Sequence, residues 1–218
     1  MTVEPSNPGD SQPASPVGLD LVAPETYAPM LRRLALAAVG VGVGAALLAA
    51  LLVSWPIAVL IGFVVGAPTV GYAMALRRRR MWLAGTTIHA RRLFGARRVD
   101  IAAATGVEIL VFPARLSRIV LRVTAGADTQ IIPLAMYTDT GSGRELHLIG
   151  LRKLADALTS CPLAAAVAVS SMLVHQLRAE ARDAGLEERP LYRAVQTARE
   201  KDYVSPIVLT DAEVAALC

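Results

Sequence analysis

Eight arginines fall between positions 77 and 98: Arg77, Arg78, Arg79, Arg80, Arg91, Arg92, Arg97 and Arg98. No acidic residue appears among them before Asp100. Guanidinium groups keep their charge at any physiological pH and bind carboxylate or phosphate oxygens through a planar fork. The chemistry open to such a stretch is recognition of an anionic surface rather than bond making. Beside an anionic leaflet each basic side chain gains on the order of 1 kcal/mol. Two roles are compatible with one another. Arg77, Arg78, Arg79 and Arg80 fix membrane topology, while Arg91, Arg92, Arg97 and Arg98 form a second basic surface, holding a domain flat on anionic headgroups or binding an acidic partner. Nucleic acid is not the expected partner, because the cluster abuts an apolar run that belongs in a bilayer.

Catalytic spacing is missing. His89, His147 and His175 lie far apart in sequence, with no Cys or carboxylate at ligand spacing, so no metal site is expected. The chain contains no P-loop, HExxH or GxSxG pattern. Ser170 and Ser171 sit in an apolar segment, where a hydroxyl bonds back to the helix rather than acting as a nucleophile. The two cysteines, Cys161 and Cys218, have no metal-ligand spacing, and Cys218 forms no prenylation box. No cofactor is expected, and the chain reads as a non-enzyme.

Two uncharged apolar runs, 34–53 and 57–76, precede the arginines and are separated only by Ser54, Trp55 and Pro56. Each approximates the ~20 residues that cross ~30 Å of hydrocarbon as a helix. Arg32 and Arg33 flank the first run and Arg77 to Arg80 the second, while the connecting turn is uncharged. Basic flanks stay cytoplasmic, so the runs predict a tight helical hairpin in the cell membrane with both termini inside. Trp55 suits the outer interface, Trp82 suits the inner one, and Pro56 suits the first turn of the second helix. A single helix through Pro56 would have nowhere to put its length. The first run starts too deep in the chain for a signal peptide. Gly40 with Gly44, and Gly62 with Gly66, are GxxxG pairs that let helix backbones approach, either within the hairpin or against another protein.

The remainder divides by composition. Residues 1–29 hold six prolines and only acidic charges, and predict a disordered cytoplasmic tail. The hairpin occupies 30–80. Residues 81–160 read as short β segments: 81–84, 87–94, 97–101, 108–112, 117–124, 130–134 and 144–149, with Gly85, Gly95 and 126–128 as turns and Pro113 as a stop. A helix follows, with Leu151, Leu154, Ala155 and Leu158 on one face. Residues 161–218 predict a helical extension: a helix over 163–184 ended by Gly185, a charged segment over 187–202, and a terminal turn capped by Thr210 and Glu213. The 163–177 stretch is short and polar for a third span, and the sequence leaves open both a soluble and a membrane-associated helix there. The chain carries a net charge of +4 with 54% hydrophobic residues. Its lysines are only Lys153 and Lys201, and its last asparagine is Asn7. That bias suggests a high-GC, actinobacterial source.

The order of pieces resembles the bacterial pleckstrin-homology-like membrane proteins. The matching segments are Arg77-Arg78-Arg79-Arg80-Met81-Trp82-Leu83, then Gly85-Thr86-Thr87-Ile88, then Arg97-Arg98-Val99-Asp100-Ile101, closing with Leu148-Ile149-Gly150-Leu151 into Leu154-Ala155-Asp156-Ala157-Leu158. The resemblance covers roughly 31–159. It implies a membrane α-helical hairpin with a β-rich (α+β) cytoplasmic domain, a small barrel closed by a helix. It further implies a scaffold or assembly role at the inner membrane face, with membrane or cytoplasmic proteins as partners. Cell division, with divisome components and self-association, is the preferred process. The alternative is an anionic-lipid sensor or an accessory subunit of a transporter or respiratory complex. The resemblance supplies no catalytic residues.

Overall fold

The computed structural model describes residues 16–21, 24–78, 80–91, 95–202 and 205–218, with the backbone alone at 24–27, 77 and 78. The chain is mixed α+β, with two apolar helices and two antiparallel sheets. It separates into two compact units, one built around residues 22–80 and the other from the rest, apart from 90–97, which group with the first.

The first unit is the helical hairpin. Helix α1 runs Pro24–Ala50 and α2 runs Trp55–Arg78. Within them Ala28–Ala50 and Trp55–Leu76 are long and apolar enough to cross a membrane, with a mean hydropathy of 1.9 each. Only 11% and 22% of these windows is buried. Side chains such as Leu52, 88% exposed, and Phe63, 69% exposed, point outward. A core helix of a soluble protein would be covered, whereas these two helices could span a membrane. The turn closes on Ser54, whose carbonyl accepts from the amides of Ile57 and Ala58 at 3.1 Å. Pro56 sits in the first turn of α2, where its missing N–H costs no helical bond. Pro68 lies inside α2, as membrane helices tolerate.

The glycines decide how closely the two helices pack, and not all the expected ones take part. A Cβ on Gly62 would stand 2.5 Å from the Gly42 carbonyl oxygen and 2.7 Å from Ala46 Cβ. One on Gly66 would stand 3.1 Å from the Ala38 carbonyl. Gly40 and Gly44 have nothing within 4 Å. The contact therefore uses Gly62 and Gly66 as expected, but Gly42 and its neighbours Ala38 and Ala46 on α1. Residues 40 and 44 are two positions away from 42, about 200° around the helix, so they share its small size but not its face.

The second unit opens with a strand that the sequence reading missed. Val17–Gly18 forms β1, which pairs with β2, Arg80–Ala84, in the register Val17 to Leu83 and Gly18 to Trp82. Leu19 is fully buried, its amide donating to the Met81 carbonyl at 2.9 Å. The Asp20 carboxylate accepts from the Met81 amide at 3.3 Å. The predicted tail lies outside the described residues up to 15, but 16–21 is folded and α1 begins at Pro24, which corrects the boundary at 29. Edge pairing supplies the partners that composition alone could not foretell.

Sheet order is β1-β2-β3-β4 in the first sheet, with β3 at Thr87–Arg91 and β4 at Ala96–Asp100. The second sheet has the order β8-β7-β6-β5-β9. It comprises β5 (Gly106–Phe112), β6 (Leu116–Ala125), β7 (Asp128–Thr138), β8 (Gly143–Glu145) and β9 (Ile207–Leu209). Strands β6 and β7 meet at Gly126, whose φ of +59° suits a residue without a side chain. Strand β7 runs through Pro133 because the register with β6 shifts between Ile119 and Val120, a bulge that removes the need for its N–H. The sheets do not close into a barrel. Strands β4 and β5 are joined by a turn, and the free edge of β5 is taken by β9 from the far end of the chain.

Helix α3, Leu148–Leu158, buries the expected face of Leu151, Leu154, Ala155 and Leu158. Helix α4, Ala164–Ala181, is folded into this unit with Gln176 fully buried. Helix α5 is Pro190–Lys201, and α6, Asp211–Ala216, carries the expected capping box between Thr210 and Glu213. The core runs from Leu19 and Leu83 through Ile109, Ile119, Leu121 and Leu134 to Leu154, Leu173 and Val195.

Candidate functional site

Strand alternation sorts the basic residues. In β2 the buried Leu83 points into the core, so Trp82 takes the opposite face. In β3 the buried residues are Ile88 and Ala90, which puts Thr87 and His89 on the outer face. In β4 only Val99 is buried, and Arg98 and Asp100 face outward. Trp82 and His89 stack with ring centroids 5.3 Å apart and planes 2° from parallel. Both rings are half-buried, and each is opposite a core residue in its own strand.

Arg80 and Arg91 are exposed at the start of β2 and the end of β3, and Arg97 and Arg98 are exposed in β4. The backbone of Arg77 and Arg78 ends α2, while Arg79 and Arg92 lie outside the described residues. Among the described residues Arg80, Arg91, Arg97 and Arg98 make no ion pair. Asp100, on the same outer face as Arg98, accepts from the Ala102 amide at 3.1 Å and makes no ion pair within 4 Å among the described residues. The exposed cations of the first sheet thus make no ion pair among the described residues.

A second polar cluster has the opposite character. Glu145 accepts from Tyr137 Oη at 2.5 Å on one oxygen. Its other oxygen accepts from Gln176 Nε2 at 2.7 Å and from Arg189 Nη1 at 3.1 Å. Gln176 Oε1 in turn accepts from the Leu191 amide at 3.1 Å, and Arg189 Nε donates to the Ala184 carbonyl at 3.2 Å. Tyr137 packs edge-on to Tyr192 at 5.2 Å. Burial, then the Glu145 charge, pushes the Tyr137 phenol far above its ordinary value, so it stays a donor. Burial, followed by repulsion from Glu145, raises Glu180, and Arg189 opposes that rise. A cavity of about 230 Å³ opens here. Three donors on its carboxylate hold Glu145 in place. The cluster fastens α4 and α5 to the second sheet. Its one sequence signal is a glutamine inside an apolar helix, which marks a buried amide needing partners.

The histidines remain apart: His89 on Trp82, His147 at the start of α3, and His175 Nδ1 within 3.0 Å of the Ser171 carbonyl. Among the described residues no three His, Cys, Asp or Glu side chains gather where an ion could bind. Cys161 is buried, Cys218 is exposed, and neither forms a disulfide. Ser170 Oγ donates to the Ala155 carbonyl at 3.0 Å, tying α4 to α3.

No protein-family model, curated protein or solved structure matches this chain.

Proposed function

We propose that the chain is an integral membrane scaffold: a two-helix hairpin that fixes a folded domain at the inner membrane face, where it recruits protein partners. The observation that carries the reading is the pairing of β1 with β2. Strand β1 precedes the hairpin and β2 follows it, so segments on both sides of the two spans belong to one sheet. A sheet cannot be shared across a bilayer. Two spans between them would leave both flanks on one side, and the arginines at both ends support the cytoplasm as that side.

Two antiparallel sheets followed directly by α3 support a pleckstrin-homology-like reading of the domain, in an open rather than closed form. The donors that hold the Glu145 carboxylate favour a structural role for that cluster. The process we favour is septum or envelope assembly in an actinobacterium, with divisome proteins as partners. The unpaired arginines favour one second reading, a lipid-responsive accessory subunit of a transporter or respiratory complex.

The test is a fluorescent protein fused at the C-terminus, imaged in growing cells and crosslinked for pull-down. The scaffold reading expects fluorescence at division sites with envelope-assembly proteins captured. A uniform membrane signal with transport or respiratory proteins supports the accessory reading instead. An exported, dark fusion contradicts the topology.

A further inference from the structure

We draw no further inference here: the strongest candidate, the cavity of about 230 Å³ beside Glu145 and Glu180, belongs to the polar network already described, and its lining carries the cations Arg144 and Arg189 along with both carboxylates, so nothing in the structure shows what would occupy it.

Discussion

The two sheets of the folded domain differ in where their ion pairs fall. In the second sheet and the helices behind it four cations are matched, Arg122 with Glu108, Arg189 with Glu145, Arg199 with Asp139 and Lys201 with Glu213, while others there, such as Arg144, Arg152 and Lys153, make no ion pair among the described residues. In the first sheet Arg80, Arg91, Arg97 and Arg98 have no such match among the described residues. The first sheet is also the one assembled from chain on both sides of the hairpin. The difference teaches that the protein separates its tasks. One sheet is held to the helical extension by internal polar bonds, and the other keeps its charges available to whatever lies outside.

Substitutions can break or sharpen that contrast. The largest expected effect is from Glu145→Ala, which strands Arg189, Gln176 and Tyr137 at a site where Glu145 itself is 10% exposed. Removing one partner of a buried pair costs about 3–5 kcal/mol, and denaturant unfolding of the detergent-solubilised chain should register a loss of that size. A loss under ~1 kcal/mol would mean the network is ornamental and the contrast false. Leu19→Ala comes next. It empties a fully buried position of the strand that joins the two flanks and should cost about 2–5 kcal/mol in the same measurement, with residues 16–21 becoming protease-sensitive.

A smaller effect, with a definite sign, is expected from Glu180→Gln. Burial and Glu145 raise the Glu180 pKa above its ordinary 4.5, so the folded state holds this proton more tightly than the unfolded one. Its contribution is complete below that ordinary value and is lost as pH rises through the raised one. The variant should therefore match the parent at acid pH and melt higher at neutral pH, which paired thermal melts would check. The opposite ordering would mean that the carboxylate is stabilised when charged. The smallest effect belongs to Arg98→Ala. An exposed arginine with no partner should leave stability within ~0.5 kcal/mol, whatever it does to membrane contact.

The sequence made some of this architecture legible and hid the rest for physical reasons. The hairpin was readable because two uncharged runs and their arginine flanks are local signals of bilayer length. The pairing of β6 with β7 around Gly126, the apolar face of α3 and the Thr210–Glu213 cap were also local patterns, and they recur in the fold. Strand β1 was hidden because two residues in a proline-rich segment have no periodicity, and their partner lies more than sixty positions away. Strand β9 is equally short and takes its identity from the β5 edge. Gly40 and Gly44 were expected to pack within the hairpin or against another protein; within it Gly42 is the one that faces α2, since composition gives glycines but not the rotation of a helix. The expected barrel is not closed, because the β5 edge is paired with β9, a strand too short to be legible in the sequence. For the site, the arginines were visible as a run, whereas their lack of counterions and the Trp82–His89 stack are properties of strand pairing.

The central claim, that the flanks of the hairpin fold together on one side of the membrane, is tested most directly by a disulfide. Val17 and Leu83 are opposite each other in β1 and β2. Directly opposed antiparallel residues have Cα atoms about 4.5–5.5 Å apart, within disulfide range. Val17→Cys with Leu83→Cys, made with Cys161→Ala and Cys218→Ser, would be oxidised in isolated native membranes and digested for mass spectrometry. The account predicts a linked peptide containing residues 17 and 83 within one chain. Two unlinked cysteines, with only one of them reached by an impermeant maleimide from the cytoplasmic side after mild unfolding, would contradict it.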